Sequence, residues 1–457
     1  MKKIKKYINN NVLIKVASLN SASVITRIIT GFLTSKAIAI YIGPEGLALI
    51  GNLRNLVSSA HSFSVLGMYS GIIKYISEFK TNTIELSKTL STAFYLGFIA
   101  TTLVSFLCYF NAEYINTLVF PTYSDYAYVI RILALVLPFY SMNMFAFAIM
   151  NGFSKYKMLL IINIIGQVLG ACITLILIYQ NRIDGALIAI VVGESLVFLI
   201  TMVGVINQRS LIPLVRASRV SFTFVKRLST FSTMALFSAI VLPIVAIAIR
   251  SYIIDNIGYK DAGFWEAMVR ISKYYLMFVS SLMGLYILPR FSEIDNIKEF
   301  REEVFGFYKT IIPVFGLGLF VIYLLRRFIV AIVFTEEFKP VEDLFLWQLL
   351  GDFVKVLSIV ISYQFLAKKM FWHYIITEAF SVIILYLTSM YFIDLYGVKG
   401  ATIAHFVTYV MYYGIILLIF STSLFGVLPE DTALLVDEDD ENEEEDEEDE
   451  ENKIDKN

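Results

Sequence analysis

Cysteine and histidine are nearly absent from this 457-residue chain, which has two of the first and three of the second. Cys108 and Cys172 both fall in apolar stretches, where a thiol packs as a small hydrophobe, so no disulfide framework follows and the redox compartment is unreadable. His61, His373 and His405 lack metal-ligand spacing, and no metal site or cofactor is expected. No GxxxxGK[ST] loop is present to cradle ATP phosphates. No long outer loop is present to hold a catalytic site, and these absences together argue against an enzyme.

Charge is scarce and unevenly placed. Only 17% of residues are Asp, Glu, Lys or Arg, while 58% are hydrophobic and the mean hydropathy is +0.71. That much apolar surface cannot be hidden in one or two water-soluble cores, so the chain belongs in a membrane. Residues 430–457 hold 17 of the 39 acids and two of the 37 bases; the first 429 residues therefore carry 35 bases against 22 acids, a body of +13 with a tail of -15. The tail has no aromatic residue after Asp437, and self-repulsion predicts a disordered cytoplasmic segment.

A helix crossing hydrocarbon needs about 20 apolar residues. Apolar stretches centre near 14–42, 45–78, 86–110, 124–152, 156–180 and 183–207, then near 226–256, 259–290, 303–326, 340–367, 371–394 and 398–425. The expected fold is an all-α polytopic membrane protein of about twelve transmembrane helices. Its parts are an N-terminal six-helix lobe (1–207), a cytoplasmic linker (208–225), a C-terminal six-helix lobe (226–425) and the tail (426–457). Lys2, Lys3, Lys5 and Lys6 precede a first apolar stretch too long for a removable signal peptide, which reads as a retained span. Basic residues collect on alternate connections, including Arg209, Arg216 and Arg219 in the linker, which puts both termini in the cytoplasm.

Two blocks recur about 215 residues apart. Ile42-Gly43-Pro44-Glu45-Gly46-Leu47 returns as Ile257-Gly258-Tyr259-Lys260-Asp261-Ala262-Gly263-Phe264, and Asp184-Gly185-Ala186 returns as Lys399-Gly400-Ala401. A duplicated membrane bundle with cations between its halves suggests a transporter of an anion. Pro138, Pro243 and Pro313 fall inside spans, where each bends a helix, for gating or merely for packing. Gly166 and Gly170 form a GxxxG that favours close helix approach.

An ionised side chain at the bilayer centre costs about 2.5 to 3.5 kcal/mol on insertion scales. Arg27 is too central to reach either surface, and it shares a helical stripe with Asn20, Ser23, Thr30 and Thr34. Ligand contact and a purely structural hydrogen-bonding role are both open to it. Arg54, Ser58 and His61 line one face of span two, where His61 is either a packing residue or a proton carrier. Glu266, Arg270 and Lys273 share a face of span eight, and Glu266 is placed to neutralise Arg270. Lys36 lies about half a turn round from Arg27, so both face one lumen only if span one bends, with Gly31 the natural place. Arg250 is either an outer-side cation or a snorkelling anchor. Glu194, Glu266, Asp352, Glu378 and His61 are candidates for coupling or charge balance, with Lys355 the expected partner of Asp352.

The run Lys36-Ala37-Ile38-Ala39-Ile40-Tyr41-Ile42-Gly43-Pro44-Glu45-Gly46-Leu47-Ala48-Leu49-Ile50-Gly51-Asn52, followed by Gly71-Ile72-Ile73-Lys74-Tyr75, resembles the opening of O-antigen translocases of the Wzx type, in the multidrug/oligosaccharidyl-lipid/polysaccharide flippase superfamily. The resemblance implies two six-helix lobes in a V that alternate between inward-open and outward-open forms. It implies an undecaprenyl-pyrophosphate-linked oligosaccharide as substrate, moved from the cytoplasmic to the periplasmic leaflet of a bacterial inner membrane. A polysaccharide polymerase and chain-length machinery would be partners, and nucleic acid would not. Lipid II flippases use arginines in spans one, two and eight, which by span implies Arg27, Arg54 and Arg270 as the pyrophosphate site; Lys36 and Arg250 are the expected secondary cationic relay. Tyr69, Tyr140 and Tyr274 are candidate sugar platforms. The rival readings are a drug or metabolite antiporter of the same superfamily, a membrane glycan polymerase or glycosyltransferase, and a scaffold recruited through the tail.

Overall fold

The computed structural model describes residues 12–120, 125–206, 215–294 and 296–426. The expectations for Lys2, Lys3, Lys5, Lys6, Arg209 and the acidic tail lie outside the described residues, as does the side chain of Asn20. The described residues form helices joined by short turns, with no strand among them.

In the N-terminal half, α1 covers Val12–Tyr41, α2 Gly43–Ser64, α3 Tyr69–Glu78, α4 Thr83–Phe110, α5 Ala112–Val119, α6 Ala127–Gly152 and α7 Tyr156–Ile206. In the C-terminal half, α8 covers Phe222–Asn256, α9 Tyr259–Leu282, α10 Leu288–Glu293, α11 Ile297–Leu324, α12 Arg326–Val333, α13 Phe345–Ala367, α14 Phe371–Tyr396, α15 Val398–Ile419 and α16 Ser421–Phe425. Local chemistry sets several starts. The Asn82 side chain accepts from the amides of Ile84 and Glu85, and Asn296 accepts from Glu299, so each supplies an acceptor to a first turn that has none. Pro44 enters α2 in its first turn, where a missing N–H costs nothing. Pro138, Pro243 and Pro313 all sit inside helices.

Ten helical stretches of the described residues are long and apolar enough to cross a membrane. One of them, Lys157–Gly204, is two passes, because the backbone of Arg182 (φ 48°, ψ -115°) reverses the chain. The α9 segment adds a further pass that its own charges disqualify by composition: Lys260, Asp261, Glu266, Arg270 and Lys273 lie on it. Twelve passes result. Large apolar side chains such as Phe98, Phe110, Leu317 and Leu387 face outward, as lipid contact requires. The protein is therefore an all-α, multi-pass membrane protein.

The internal repeat is written in backbone geometry. Gly43 and Gly258 both hold positive φ (79° and 140°) where one span turns into the next. A Cβ on Gly185 would sit 1.9 Å from the carbonyl oxygen of Leu177, and one on Gly400 would sit 1.9 Å from that of Phe392. Each half thus folds its fifth span against its sixth through a reversal that only glycine fits. The GxxxG holds at one end only: a Cβ on Gly166 would touch Val197, whereas Gly170 faces open space.

Helix α2 is the joint between the halves, packing against both α8 and α9. Its break before α3 is placed by tertiary contact. Leu66 and Gly67 take positive φ, and a Cβ on Gly67 would lie 2.7 Å from that of Ala235 on α8. The described part of the linker is fastened to α4, with the Arg216 amide donating to Ser91 Oγ and the Ser221 amide to Thr92 Oγ1. Regular helix resumes at Phe222, four residues before the expected lobe boundary.

Candidate functional site

Span one does not bend at Gly31: α1 runs unbroken from Val12 to Tyr41. Gly31 instead makes room for the Tyr274 ring, which an added Cβ would meet at 2.5 Å. The Thr34 end of the polar stripe of α1 reaches the opposite half. Thr34 Oγ1 accepts from Arg270 Nη2 at 3.1 Å, Tyr274 Oη accepts from Arg270 Nε at 3.0 Å, and Ser35 Oγ lies 3.1 Å from Tyr274 Oη. Arg270 is buried with its Nη1 unbonded. Tyr274 thus orients a guanidinium, a role the sequence reading had not given it.

Lys36 points to the far side of α1, as its spacing from Arg27 requires. Its Nζ donates to the carbonyls of Ala331, at 2.8 Å, and Phe334 at the end of α12. That is the negative end of a short helix in the other half. Lys36 is therefore a bond between halves, and the expectation of a lumenal relay is corrected at this position.

Arg250 also departs from expectation. It is almost fully enclosed, donates to Asn52 Oδ1 at 2.6 Å and to Glu266 Oε2 at 2.5 Å, and lies over the Trp265 ring at 5.2 Å. Gly51 permits this cluster, since a Cβ there would meet the Glu266 carboxylate at 2.5 Å. Glu266 consequently neutralises Arg250, not its own-helix neighbour Arg270. The i, i+4 pair suggested by spacing loses to a tertiary partner that buries both charges together.

With Glu266 occupied, four cations remain linked by electrostatic reach to one another or to Glu194. Arg54 lies within electrostatic reach of Arg270, Tyr274, Glu266 and Glu194. Lys273, grouped by spacing with Arg270 but given no role, is exposed to solvent yet lies within electrostatic reach of Arg54, Arg250 and Arg270. Arg27 is exposed and acts on Glu194. None of Arg27, Arg54 and Lys273 makes a contact ion pair among the described residues. At 4 Å, two like charges in a protein environment repel by about 4 kcal/mol. Such a cluster holds only if an anion or water fills the space.

Glu194, within electrostatic reach of Arg27 and Arg54, keeps 67% of its side-chain surface accessible. His61 Nδ1 stands 3.2 Å from its Oε2. The His61 ring is buried and stacked at 3.5 Å on Tyr140, and its Nε2 has no partner among the described residues. Counting Arg27, Arg54, Arg270 and Lys273 against Glu194, with His61 neutral, leaves a net charge of +3. Ser23, also on the α1 stripe, is buried 3.4 Å from Gln167.

The two halves meet on the side of the 41–43 and 256–259 turns. A Cβ on Gly263 would meet the Pro44 carbonyl at 1.9 Å, and the Lys36 bond and the Asn52–Arg250–Glu266 cluster span the same end. Arg27 and Glu194 are both exposed.

Asp352 is not in this cluster. Fully buried in the C-terminal half, it accepts from Ser272 Oγ at 2.5 Å, from Tyr275 and from Gln348 Nε2 at 3.2 Å, and stands 2.9 Å from His405 Nε2. The expected contact with Lys355 gives way to His405, and Lys355 Nζ lies 5.0 Å over the Tyr409 ring. His405 was invisible to sequence reading because its partner is 53 residues away on another helix. Glu378 is half-buried nearby, within reach of Ser238 and Lys355. Tyr69 lines an apolar cleft of about 200 Å³ between α3, α4 and α6, behind the cationic space.

Comparisons with known proteins agree with this architecture. The lipid III flippase of Escherichia coli (strain K12) is 28% identical over 414 residues, covering 88% of this chain and 97% of that protein. A solved outward-facing multidrug resistance transporter of the MOP superfamily aligns with a TM-score of 0.70 at 15% identity, covering 90% of this chain and 95% of that one. A lipid II flippase in an inward-closed conformation aligns at 0.67 and 16% identity, covering 90% of this chain and 88% of its own. The family model described as polysaccharide biosynthesis protein matches residues 38–343, two thirds of the sequence. The chain belongs to the polysaccharide biosynthesis protein family.

Proposed function

We propose that this protein flips an oligosaccharide linked to undecaprenyl pyrophosphate from the cytoplasmic to the periplasmic leaflet of the bacterial inner membrane, with both termini in the cytoplasm. The observation that carries the reading is the cluster of cations, Arg27, Arg54, Arg270 and Lys273, left without a contact acid among the described residues. Arg27, Arg54 and Arg270 hold the pyrophosphate, and Lys273 joins them. Their donors replace the water that the phosphates lose on leaving the headgroup region. The lipid tail stays in hydrocarbon while the headgroup crosses between the halves.

Export then requires the end where the halves meet to open. Lys36 leaves the α12 carbonyls, the halves part between α1 and α9, and the opposite end closes. An inside-negative potential favours outward movement of negative charge by about 2.3 kcal/mol per charge per 100 mV. A drug antiporter of the same superfamily is the alternative, and the sign of the site weighs against it for cationic drugs.

The test is complementation of a strain lacking its own translocase with Arg27→Glu, Arg54→Glu and Arg270→Glu, each matched for membrane abundance. Loss of surface polysaccharide in all three is expected. Normal polysaccharide in any two would remove the site.

A further inference from the structure

The two acids nearest the cationic space are held in opposite ways. Glu266 is 3% exposed and lies 2.5 Å from Arg250, a pair with no freedom to part. Glu194 has one direct contact among the described residues, His61 at 3.2 Å, and keeps most of its side-chain surface accessible. Arg27 on α1 and Arg54 on α2 both act on it without touching it. Tyr140 of α6 lies behind, stacked on the His61 ring, and Tyr69 is the next ionisable group. The buried His61 carries an unpartnered Nε2, so the pair is not a closed structural network of the kind made by Asp352.

We infer that Glu194 is a resident counter-anion: tethered by His61, it stands in for the substrate's phosphates between Arg27 and Arg54 when the space is empty, and so permits the unloaded transporter to return. This rests on the reading of Arg27, Arg54 and Arg270 as the pyrophosphate site. A flippase that works one way must change conformation twice per cycle, once loaded and once empty. On the loaded stroke the phosphates neutralise the cations. On the empty stroke nothing from outside does, and closing a low-dielectric space over unbalanced like charges is costly. An acid already seated in the space offsets part of that repulsion. It must be weakly held, since one locked onto the arginines would exclude substrate. The long, accessible Glu194 side chain on a single histidine contact meets both conditions.

The consequence separates exchange from net transport. In proteoliposomes, a fluorescent short-chain isoprenyl pyrophosphate is offered outside, with the same unlabelled compound either trapped inside or absent. With trapped compound both strokes are loaded; without it the transporter must return empty. Glu194→Gln is expected to keep exchange within about twofold of the natural protein while net uptake falls roughly tenfold or more, the effect of one uncompensated charge on a barrier. Glu194→Asp should restore net uptake in part. His61→Gln, which removes the tether's charge-assisted option but keeps a donor, should fall between.

Binding of inorganic pyrophosphate to the purified protein separates the two levels of the argument. Binding by the natural protein that Arg27→Glu abolishes upholds the site, and Glu194→Gln should bind at least as tightly. Equal loss of exchange and net uptake in Glu194→Gln, or loss of neither, overturns the counter-anion. Binding that ignores Arg27, Arg54 and Arg270 overturns the site itself, and the counter-anion with it.

Discussion

The two halves share their turns and differ in their charges. Gly43 and Gly258 turn alike, and Gly185 and Gly400 reverse alike, yet the N-terminal half leaves Arg27 and Arg54 free beside an accessible Glu194 while the C-terminal half seals Arg250 onto Glu266 and Asp352 onto His405. Backbone reversals are local, so duplication preserves them. Charge pairing depends on what the other half brings within a few ångströms, and that is free to diverge. On the proposed reading, one half supplies an exchangeable anion site and the other a rigid frame that carries Arg270 and Lys273.

The comparison breaks most directly at the cations. Reversing Arg27, Arg54 or Arg270 is expected to abolish complementation, whereas Arg131→Glu, on the exposed flank of α6 beside Glu113, should leave it intact when surface polysaccharide is scored. Next is the contrast between acids. Glu266→Ala strands a buried guanidinium and should cost about 3 to 5 kcal/mol, while Glu194→Ala should cost under about 1 kcal/mol, read as thermal unfolding of the detergent-purified variants. Similar losses would erase the distinction between locked and exchangeable. The repeat itself is tested by Gly185→Ala and Gly400→Ala. Both force a Cβ against a carbonyl and should lower membrane abundance by similar factors, with Gly414→Ala, which meets nothing within 4 Å, as the neutral control. A smaller effect is expected from voltage: collapsing the potential at fixed pH should slow flipping in vesicles. The smallest belongs to the tail, since removing residues 430–457 should leave complementation near normal.

Much of this was legible beforehand for identifiable reasons. Hydropathy marks all twelve apolar stretches in the sequence, 259–290 among them, although the charges of α9 keep that helix from meeting a strict apolar criterion. Arg27, Arg54 and Arg270 stand out in the sequence because a charge in mid-span must face protein or water. Pairing failed where it was read along one helix. Glu266 chose Arg250 over Arg270, Asp352 chose His405 over Lys355, and Lys36 found carbonyls of α12 on the side of α1 that a bend at Gly31 was invoked to avoid.

Sequence alone determined that this chain crosses a membrane about twelve times, that it is built twice over, and that its interior holds more positive than negative charge. These follow from transfer free energy and repetition, which sum over residues without needing to know their neighbours. Only the tertiary structure decided which cations stay free and which acid stays loose. Contact between charges depends on distances of a few ångströms between helices far apart in the chain, and no local pattern encodes that geometry.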